Sequence, residues 1–161
     1  MKIQTDQPLP DFDLPAVNFR GTVTQLSNEK LADRPYILFV YPRDSTSGCT
    51  MEAEGFRDVF VEFDELGIEI YGISRDSIRS HEKFIKKSEL PYSLIADDGG
   101  GTLNKWGLIY QSTMYGKAVT KTSRITMFVD GGKVVKIWDK VIPSDHPAQV
   151  LEWAMGWMRN R

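Results

Sequence analysis

The spacing of hydrophobic residues predicts alternating strands and helices in the first two thirds of the chain. Residues 36–41 are all apolar or aromatic, which is typical of a strand buried on both faces of a sheet. Over 49–66 the apolar residues recur every three or four positions, which predicts an amphipathic helix. A second buried strand over 68–73, a helix over roughly 77–87 and a short strand over 93–96 repeat this order.

The helix predicted over 49–66 has two distinct faces, and Gly67 is placed to end it. Its apolar face consists of Ala53, Phe56, Val59, Phe60, Phe63 and Leu66. The charged residues are assigned to the opposite, solvated face, and they are Glu52, Arg57, Asp58, Glu62 and Glu65.

The two ends of the chain differ from this alternating region. Residues 7–35 are rich in Pro and Asp and indicate an irregular N-terminal extension, with a hairpin across 19–23. Two apolar segments, 124–129 and 133–138, flank an Asp-Gly-Gly turn, which is a strong signal for an antiparallel hairpin. A last helix is predicted from about Pro147 to Met158.

This order of elements is that of an α/β protein with a thioredoxin-like fold, in which helices flank a central mixed sheet. No internal repeat or linker interrupts it, and 161 residues suit one domain with a substantial core. We therefore expect a single domain over 1–161 that carries an N-terminal extension.

Composition excludes several classes of function. A net charge of -2 provides no basic surface for nucleic acid or an anionic membrane. One cysteine excludes a disulfide framework and a multi-cysteine zinc site. The first residues lack the apolar segment of a signal peptide, and no stretch is long enough to cross a bilayer. We expect a cytoplasmic protein in a reducing compartment.

The single cysteine, Cys49, lies at the predicted turn from strand to helix. Backbone N–H groups at a helix N-terminus lack intrahelical partners and, together with the helix dipole, favour the thiolate over the thiol. A lone cysteine is also commonly a small buried hydrophobic residue without chemistry. The sequence around Cys49 favours a reactive cysteine over a core residue. Gly48 precedes the cysteine, Thr46 stands three residues before it, and Pro42 stands four residues before Thr46.

Segment 39–50 reads FVYPRDSTSGCT and resembles the peroxiredoxin signature Pro-x-x-x-Thr-x-x-Cys. Its Tyr-Pro pair and the later Gly-Phe-Arg-Asp at 55–58 are similar to the bacterioferritin-comigratory (PrxQ) branch of that family. The resemblance covers nearly the whole chain, and further matching segments follow in family order at 10–15, 71–74, 80–84, 106–107, Arg124 and 128–130. It implies a thiol-dependent peroxidase that needs no cofactor.

The resemblance also implies a role for five residues. Cys49 is the peroxidatic nucleophile, which attacks a hydroperoxide and becomes a sulfenic acid. Thr46 hydrogen-bonds the thiolate and the peroxide, Arg124 stabilises both, Pro42 shields the sulfur, and the backbone N–H groups at Gly48 and Cys49 complete the substrate site. The residues alone leave simpler roles open: a helix N-cap for Thr46, a solvated strand end for Arg124 and ordinary loop chemistry for Pro42.

Two departures from the branch pattern matter. Many members carry a resolving cysteine five residues after the peroxidatic one, where this chain has Glu54, and others carry it on the next helix, where Ser80, His81 and Ser88 stand. The resemblance therefore implies a one-cysteine enzyme, whose sulfenic acid an external thiol (thioredoxin, glutaredoxin or glutathione) resolves. Ser47 replaces the usual Pro, which predicts a looser loop.

No metal site is expected. His81 and His146 lack ligand partners at useful spacing and are predicted to be surface residues, and 97–101 is predicted to form a turn into a short helix rather than a metal or phosphate loop.

The branch tends to be monomeric, although Trp153 and Trp157 of the last helix offer a surface for a weak dimer. Three functions remain open: a peroxidase acting on hydrogen peroxide and organic hydroperoxides, a peroxide sensor, and a binding module with a vestigial cysteine.

Overall fold

A computed structural model describes residues 2–161 and has mixed α/β architecture. Its strands are β1 (Asp13–Val17), β2 (Val23–Ser27), β3 (Tyr36–Val40), β4 (Glu69–Ser74), β5 (Ser93–Ala96), β6 (Ile109–Met114), β7 (Lys117–Thr122), β8 (Ile125–Asp130) and β9 (Lys133–Trp138). Its helices are α1 (Ser47–Asp58), α2 (Phe60–Glu65), α3 (Ile78–Ser88), α4 (Gly101–Lys105) and α5 (His146–Arg159).

Seven strands form one mixed sheet in the order β2-β1-β5-β4-β3-β8-β9. The three central strands β5, β4 and β3 are parallel, and the strands on either side pair antiparallel with them. Parallel neighbours need crossover connections, which here contain α1 and α2 between β3 and β4, and α3 between β4 and β5. Strands β6 and β7 form a separate two-stranded hairpin.

Alternation along the buried strands divides the core into two layers. In β3, Tyr36, Leu38 and Val40 face one layer, whereas Ile37 and Phe39 face the other, because successive side chains point to opposite faces. The first layer is closed by the N-terminal segment and α4. The second is closed by α1, α2, α3 and α5, and it contains the cysteine.

Most of the predicted elements are confirmed, including the central mixed sheet flanked by helices. The strand over 93–96 and the hairpin of β8 and β9 have the predicted positions, and the expected N-terminal hairpin is formed by β1 and β2. The helix predicted over 49–66 is divided at Val59, whose ψ of 13° falls outside the helical range.

The hairpin of β6 and β7 was absent from the sequence prediction. Its strands read IYQSTM and KAVTKT, and most of their side chains are exposed or half-buried. Such segments carry no long apolar run, so hydrophobic spacing does not reveal them.

Helices α1 and α5 pack closely on the same face of the sheet. A Cβ atom on Gly55 would come within 2.7 Å of Pro147 Cγ, so the absence of a side chain permits this approach. Further along α5, Trp153 and Trp157 pack on Phe128 of β8, with ring centroids 5.1 and 4.7 Å away. Within residues 2–161, no helix combines the length and apolar character that a bilayer crossing requires.

Candidate active site

Cys49 occupies the third position of α1, just beyond the C-terminal end of β3. Its side chain is buried, and the thiol is free. The first intrahelical bond into α1 runs from Thr50 N to Thr46 O at 2.8 Å. The backbone N–H groups at Gly48 and Cys49 precede that bond and thus have no intrahelical acceptor. The sulfur therefore lies at the positive end of a helix, as the sequence predicted.

Arg124 is brought to Cys49 by the register of two antiparallel strands. Val40 at the end of β3 pairs with Ile125 at the start of β8, so the residue before Ile125 lies beside the loop after β3. Its Nη2 donates to Cys49 Sγ at 3.3 Å, and its Nη1 donates to Glu52 Oε1 at 2.7 Å. One guanidinium thus contacts two groups of α1.

Glu52 is fully buried, so its assignment to the solvated face of the helix was wrong. It stands one turn after Cys49 and one turn before Phe56, and residues at this spacing share a helix face. The ion pair with Arg124 offsets part of the cost of burying the carboxylate. Burial nevertheless raises the pKa of Glu52 to about 7, against the opposing charge and hydrogen bond of Arg124.

Thr46 is exposed, and its hydroxyl donates to the carbonyl of Arg43 at 3.0 Å. The expected hydrogen bond from Thr46 to the sulfur is therefore not formed in this structure, because the hydroxyl proton is directed into the loop. The residue does occupy the N-cap position of α1, but its side chain makes no capping hydrogen bond.

Pro42 lies in the loop after β3, and Gly48 lies in the first turn of α1. Pro42 is half-buried directly after β3. A Cβ atom on Gly48 would lie 3.4 Å from Arg124 Nη2 and 3.7 Å from Pro143 Cγ. A methyl group at position 48 would therefore make ordinary van der Waals contact with the guanidinium and with Pro143.

A buried hydrogen-bond network fixes the loop between β3 and α1. Asp44 accepts from Tyr41 Oη at 2.6 Å and from Ser80 Oγ at 2.8 Å, and its carboxylate lies 2.7 Å from His81 Nδ1. Its backbone N–H donates to Asp76 at 2.9 Å. His81 is fully buried, so its prediction as a surface residue was wrong. These contacts anchor the loop to α3 and to the end of β4.

His146, the first residue of α5, is also buried rather than on the surface. Its Nε2 lies 2.7 Å from Thr126 Oγ1 and 4.0 Å from Glu52 Oε2. Burial, assisted by the charge of Arg124, lowers the pKa of His146 to about 4. The imidazole is therefore neutral at pH 7.

A groove of about 680 Å³ opens beside Arg124. Its apolar lining comes from three parts of the chain, namely Leu108 and Tyr110, Ile125, and Val141 and Ile142. Lys140 and Asp139 add charge at its edge.

Comparison with known proteins shows the family of this chain. Residues 5–137 match the AhpC/TSA family. The chain belongs to the AhpC/TSA family. Within it, the chain is similar to the peroxiredoxin Bcp of Xanthomonas campestris, with 37% identity over 145 residues that cover 89% of each chain. It is also similar to the peroxiredoxin Bcp of Bacillus subtilis, with 35% identity over 94% of this chain and 95% of the relative.

Solved structures give the same assignment. The bacterioferritin comigratory protein of Xanthomonas campestris superposes with a TM-score of 0.81 at 32% identity, covering 97% of this chain and 99% of that one. The peroxidoxin BcpB of Mycobacterium tuberculosis gives a TM-score of 0.78 at 31% identity, over 96% and 97% of the two chains. The chain is therefore a Bcp/PrxQ peroxiredoxin with a thioredoxin-like fold, and hence a thiol-dependent peroxidase.

The structure of this peroxiredoxin also adds residues that sequence reasoning missed. Glu52, Thr126 and His146 form a buried group next to Arg124. For Glu52 a signal was available, since an acidic residue three positions after Cys49 lies on the helix face that is otherwise apolar. For Thr126 and His146 the sequence carried no local signal, because their contact joins residues 20 positions apart.

Proposed function

We propose that this peroxiredoxin reduces hydrogen peroxide and organic hydroperoxides through a sulfenic acid at Cys49, which an external thiol then resolves. The observation that carries the proposal is the fork of Arg124. One nitrogen is held by buried Glu52, and the other lies 3.3 Å from Cys49 Sγ.

In the first step the Cys49 thiolate attacks the outer oxygen of the hydroperoxide R–O–O–H. The S–O bond forms as the O–O bond breaks, giving Cys49–S–OH and the alkoxide R–O⁻, which takes a proton from solvent. The sulfur loses two electrons and the peroxide gains them. Negative charge moves from sulfur to the leaving oxygen, so a fixed cation beside both stabilises the transition state.

The remaining predicted site residues have supporting roles in this proposal. Arg124 stabilises the thiolate and the developing charge, and the backbone N–H groups at Gly48 and Cys49 face the peroxide. Pro42 shields the sulfur from bulk water. Thr46 can reach the peroxide once its hydroxyl leaves the carbonyl of Arg43, 3.0 Å away.

The second step needs a thiol from outside the chain, because Cys49 is its only cysteine. Glu54 occupies the position of the resolving cysteine and lies 3.9 Å from Arg57 in an ion pair. An external thiol R′–SH attacks the sulfenic acid, giving Cys49–S–S–R′ and water. A second thiol releases Cys49 and forms R′–S–S–R′.

The groove beside Arg124 supports organic hydroperoxides as substrates. Its apolar residues Leu108, Tyr110 and Ile142 suit an alkyl group, and Arg124 is part of the same lining. The solved Xanthomonas campestris relative was studied for alkyl peroxide reduction, which agrees with this assignment.

The external thiol is proposed to be thioredoxin, glutaredoxin or glutathione, which places the enzyme in a reducing compartment such as the cytoplasm. We propose a monomer as the active form. The rings of Trp153 and Trp157 already pack on Phe128 of the same chain, and this contact uses part of the surface that a dimer would need.

The test measures peroxide consumption by the wild-type protein and by Cys49→Ser, with glutathione, glutaredoxin and thioredoxin supplied separately. We expect steady turnover of hydrogen peroxide and an alkyl hydroperoxide by the wild type with at least one reductant, and none by Cys49→Ser. Mass spectrometry without reductant should show one added oxygen on Cys49, and a further oxygen when peroxide is in excess.

Two outcomes would contradict the proposal. If Cys49 reacts no faster than a free model thiol, the site does not activate it. If Cys49 is oxidised rapidly but turns over with none of the three reductants, and a mixed disulfide with a protein partner accumulates instead, the chain is a peroxide sensor.

A further inference from the structure

Glu52 presents one carboxylate oxygen to Arg124 and a second to a closed part of the core. Oε1 accepts from Arg124 Nη1 at 2.7 Å, whereas Oε2 is buried and has no hydrogen-bond donor among residues 2–161. A buried acceptor left without a donor lowers stability, and more so when it is charged. The arrangement is therefore more costly for the carboxylate than for the protonated acid.

His146 stands on that second side. Its Nε2 lies 4.0 Å from Glu52 Oε2 and 2.7 Å from Thr126 Oγ1. Its ring packs edge-on against Phe56 and Trp138, with centroids 5.9 and 6.0 Å away. These neighbours hold the imidazole beside the carboxyl group.

The titratable groups around Glu52 come from several elements. Arg124 precedes β8, His146 begins α5, Tyr92 precedes β5, and Cys49 stands one turn earlier on α1. The hydroxyl of Tyr92 is committed to a backbone carbonyl of α1 at 2.6 Å, and burial, together with the charge of Glu52, raises the pKa of Tyr92 well above its usual range. Tyr92 and the permanently charged Arg124 therefore keep their protonation states near neutral pH, whereas the carboxyl of Glu52 can change its own.

We propose that Glu52 and His146 form a positioning pair that sets how much of the Arg124 charge is available to Cys49. An ionised Glu52 shares the guanidinium with the sulfur. A protonated Glu52 leaves that charge to the sulfur and to the departing alkoxide. His146 acts through Glu52, because its imidazole decides how readily the carboxyl group releases its proton.

The pKa shifts of Glu52 and His146 agree with this geometry. Burial raises the pKa of Glu52 to about 7, so the carboxyl changes charge near neutral pH. Burial lowers the pKa of His146 to about 4, so the imidazole stays neutral there. As pH rises through 7, Glu52 ionises and the Arg124 charge becomes shared between two anions.

The experiment follows the rate constant for oxidation of Cys49 by hydrogen peroxide between pH 5 and pH 9. It rests on the proposed function, since it needs Cys49 to react. We expect the wild-type rate constant to fall several-fold as pH rises through about 7, in addition to any change from ionisation of the thiol. Glu52→Gln carries no ionisable group at this position and should lack that fall.

Variants of His146 and Thr126 should shift the pH at which the rate constant falls, in opposite directions. His146→Phe keeps a ring but removes the polar atom beside Oε2, so the fall moves to higher pH. Thr126→Val frees His146 Nε2 to donate to Oε2, so the fall moves to lower pH, by up to about one unit for a tenfold change in proton affinity. Thr126→Ser keeps the hydroxyl and should restore the wild-type position.

A direct readout uses the wild type alone, so it does not depend on whether a variant folds. Carbon-13 NMR of the Glu52 carboxyl carbon should show titration near neutral pH. Titration near the ordinary Glu value of 4.5, or a pH profile that Glu52→Gln and His146→Phe leave unchanged, would overturn the proposal. Failure of Cys49 to react with peroxide at any pH would instead contradict the proposed function.

Discussion

At the scale of single residues, the site depends on the two nitrogens of Arg124. A guanidinium has a planar fork that serves two acceptors at once, whereas a lysine ammonium is a point charge on a flexible stem. Here the fork joins Glu52 Oε1 at 2.7 Å to Cys49 Sγ at 3.3 Å. The buried carboxylate thus fixes the direction from which the positive charge meets the sulfur.

Replacement of Arg124 should therefore slow the oxidation of Cys49. We expect Arg124→Met to lower the second-order rate constant with hydrogen peroxide by roughly 10²–10³-fold, comparable to removal of an oxyanion-stabilising donor. Arg124→Lys should fall between Arg124→Met and the wild type, because lysine keeps the charge but loses the fork. Stopped-flow fluorescence or competition kinetics gives the rate constants.

Arg34→Met is the matched control for the Arg124 variants. Arg34 pairs with Asp33 and Glu69 near the start of β3, the end of the strand away from Cys49. Its replacement should leave the rate constant unchanged. Equal losses in both arginine variants would show that the effect is a general one of stability or net charge.

At the scale of elements, the contact between α1 and α5 holds the cysteine-bearing helix against the sheet. Gly55 faces Pro147 so closely that a methyl group would come within 2.7 Å of the proline ring. Since the proline ring cannot rotate aside as a flexible side chain can, added volume must separate the two helices. The position of Cys49 on α1 thus depends on a glycine six residues further along the same helix.

Gly55→Ala should destabilise the protein despite the better helix propensity of alanine. We expect the overpacking cost of about 1–3 kcal/mol to exceed the propensity gain of up to about 1 kcal/mol. Urea denaturation monitored by tryptophan fluorescence measures the free energy of unfolding. A stability equal to or above that of the wild type would show that the helices adjust freely.

Gly101→Ala provides the comparison for this substitution. Gly101 is exposed at the start of α4, and a Cβ atom there would meet nothing within 4 Å. The same change of residue should therefore leave stability unchanged or raise it slightly.

At the scale of the whole molecule, two buried titratable groups give stability opposite dependences on pH. Because the pKa of Glu52 is raised, its contribution to the free energy of unfolding is fully present below pH 4.5 and is lost as the pH rises through about 7. Because the pKa of His146 is lowered, its contribution to the free energy of unfolding is fully present above pH 6.5 and is lost as the pH falls through about 4. The two effects partly cancel in the wild type.

Substitution of His146 alone should separate the pH dependence of stability due to His146 from that due to Glu52. When the pH is lowered from 6.5 to 4, the free energy of unfolding should change more favourably in His146→Phe than in the wild type, by on the order of 2–3 kcal/mol. The reason is that phenylalanine, unlike histidine, takes up no proton in the unfolded state. Urea titrations across this pH range measure the difference. Parallel curves for the two proteins would mean that His146 is protonated in the native state as readily as in the unfolded state.

The local elements of this protein could be predicted from its sequence because their signals are short in range. The apolar run at 36–41, the turn before β9 and the position of Cys49 after a strand all depend on neighbouring residues. The family resemblance rested on several such local patterns in order along the chain, beginning with a proline, a threonine and a cysteine at fixed spacing. The weakly apolar strands of the β6–β7 hairpin gave no comparable signal.

The sequence by itself determined the position of Cys49 after a strand and that the chain holds no second cysteine. The tertiary structure alone decided which side chains surround that cysteine. Pairing of Val40 with Ile125 places Arg124 beside Cys49, and α5 brings His146 to within 4.0 Å of Glu52. Burial of a charged side chain depends on such distant partners, and hydrophobic spacing within one helix cannot supply them.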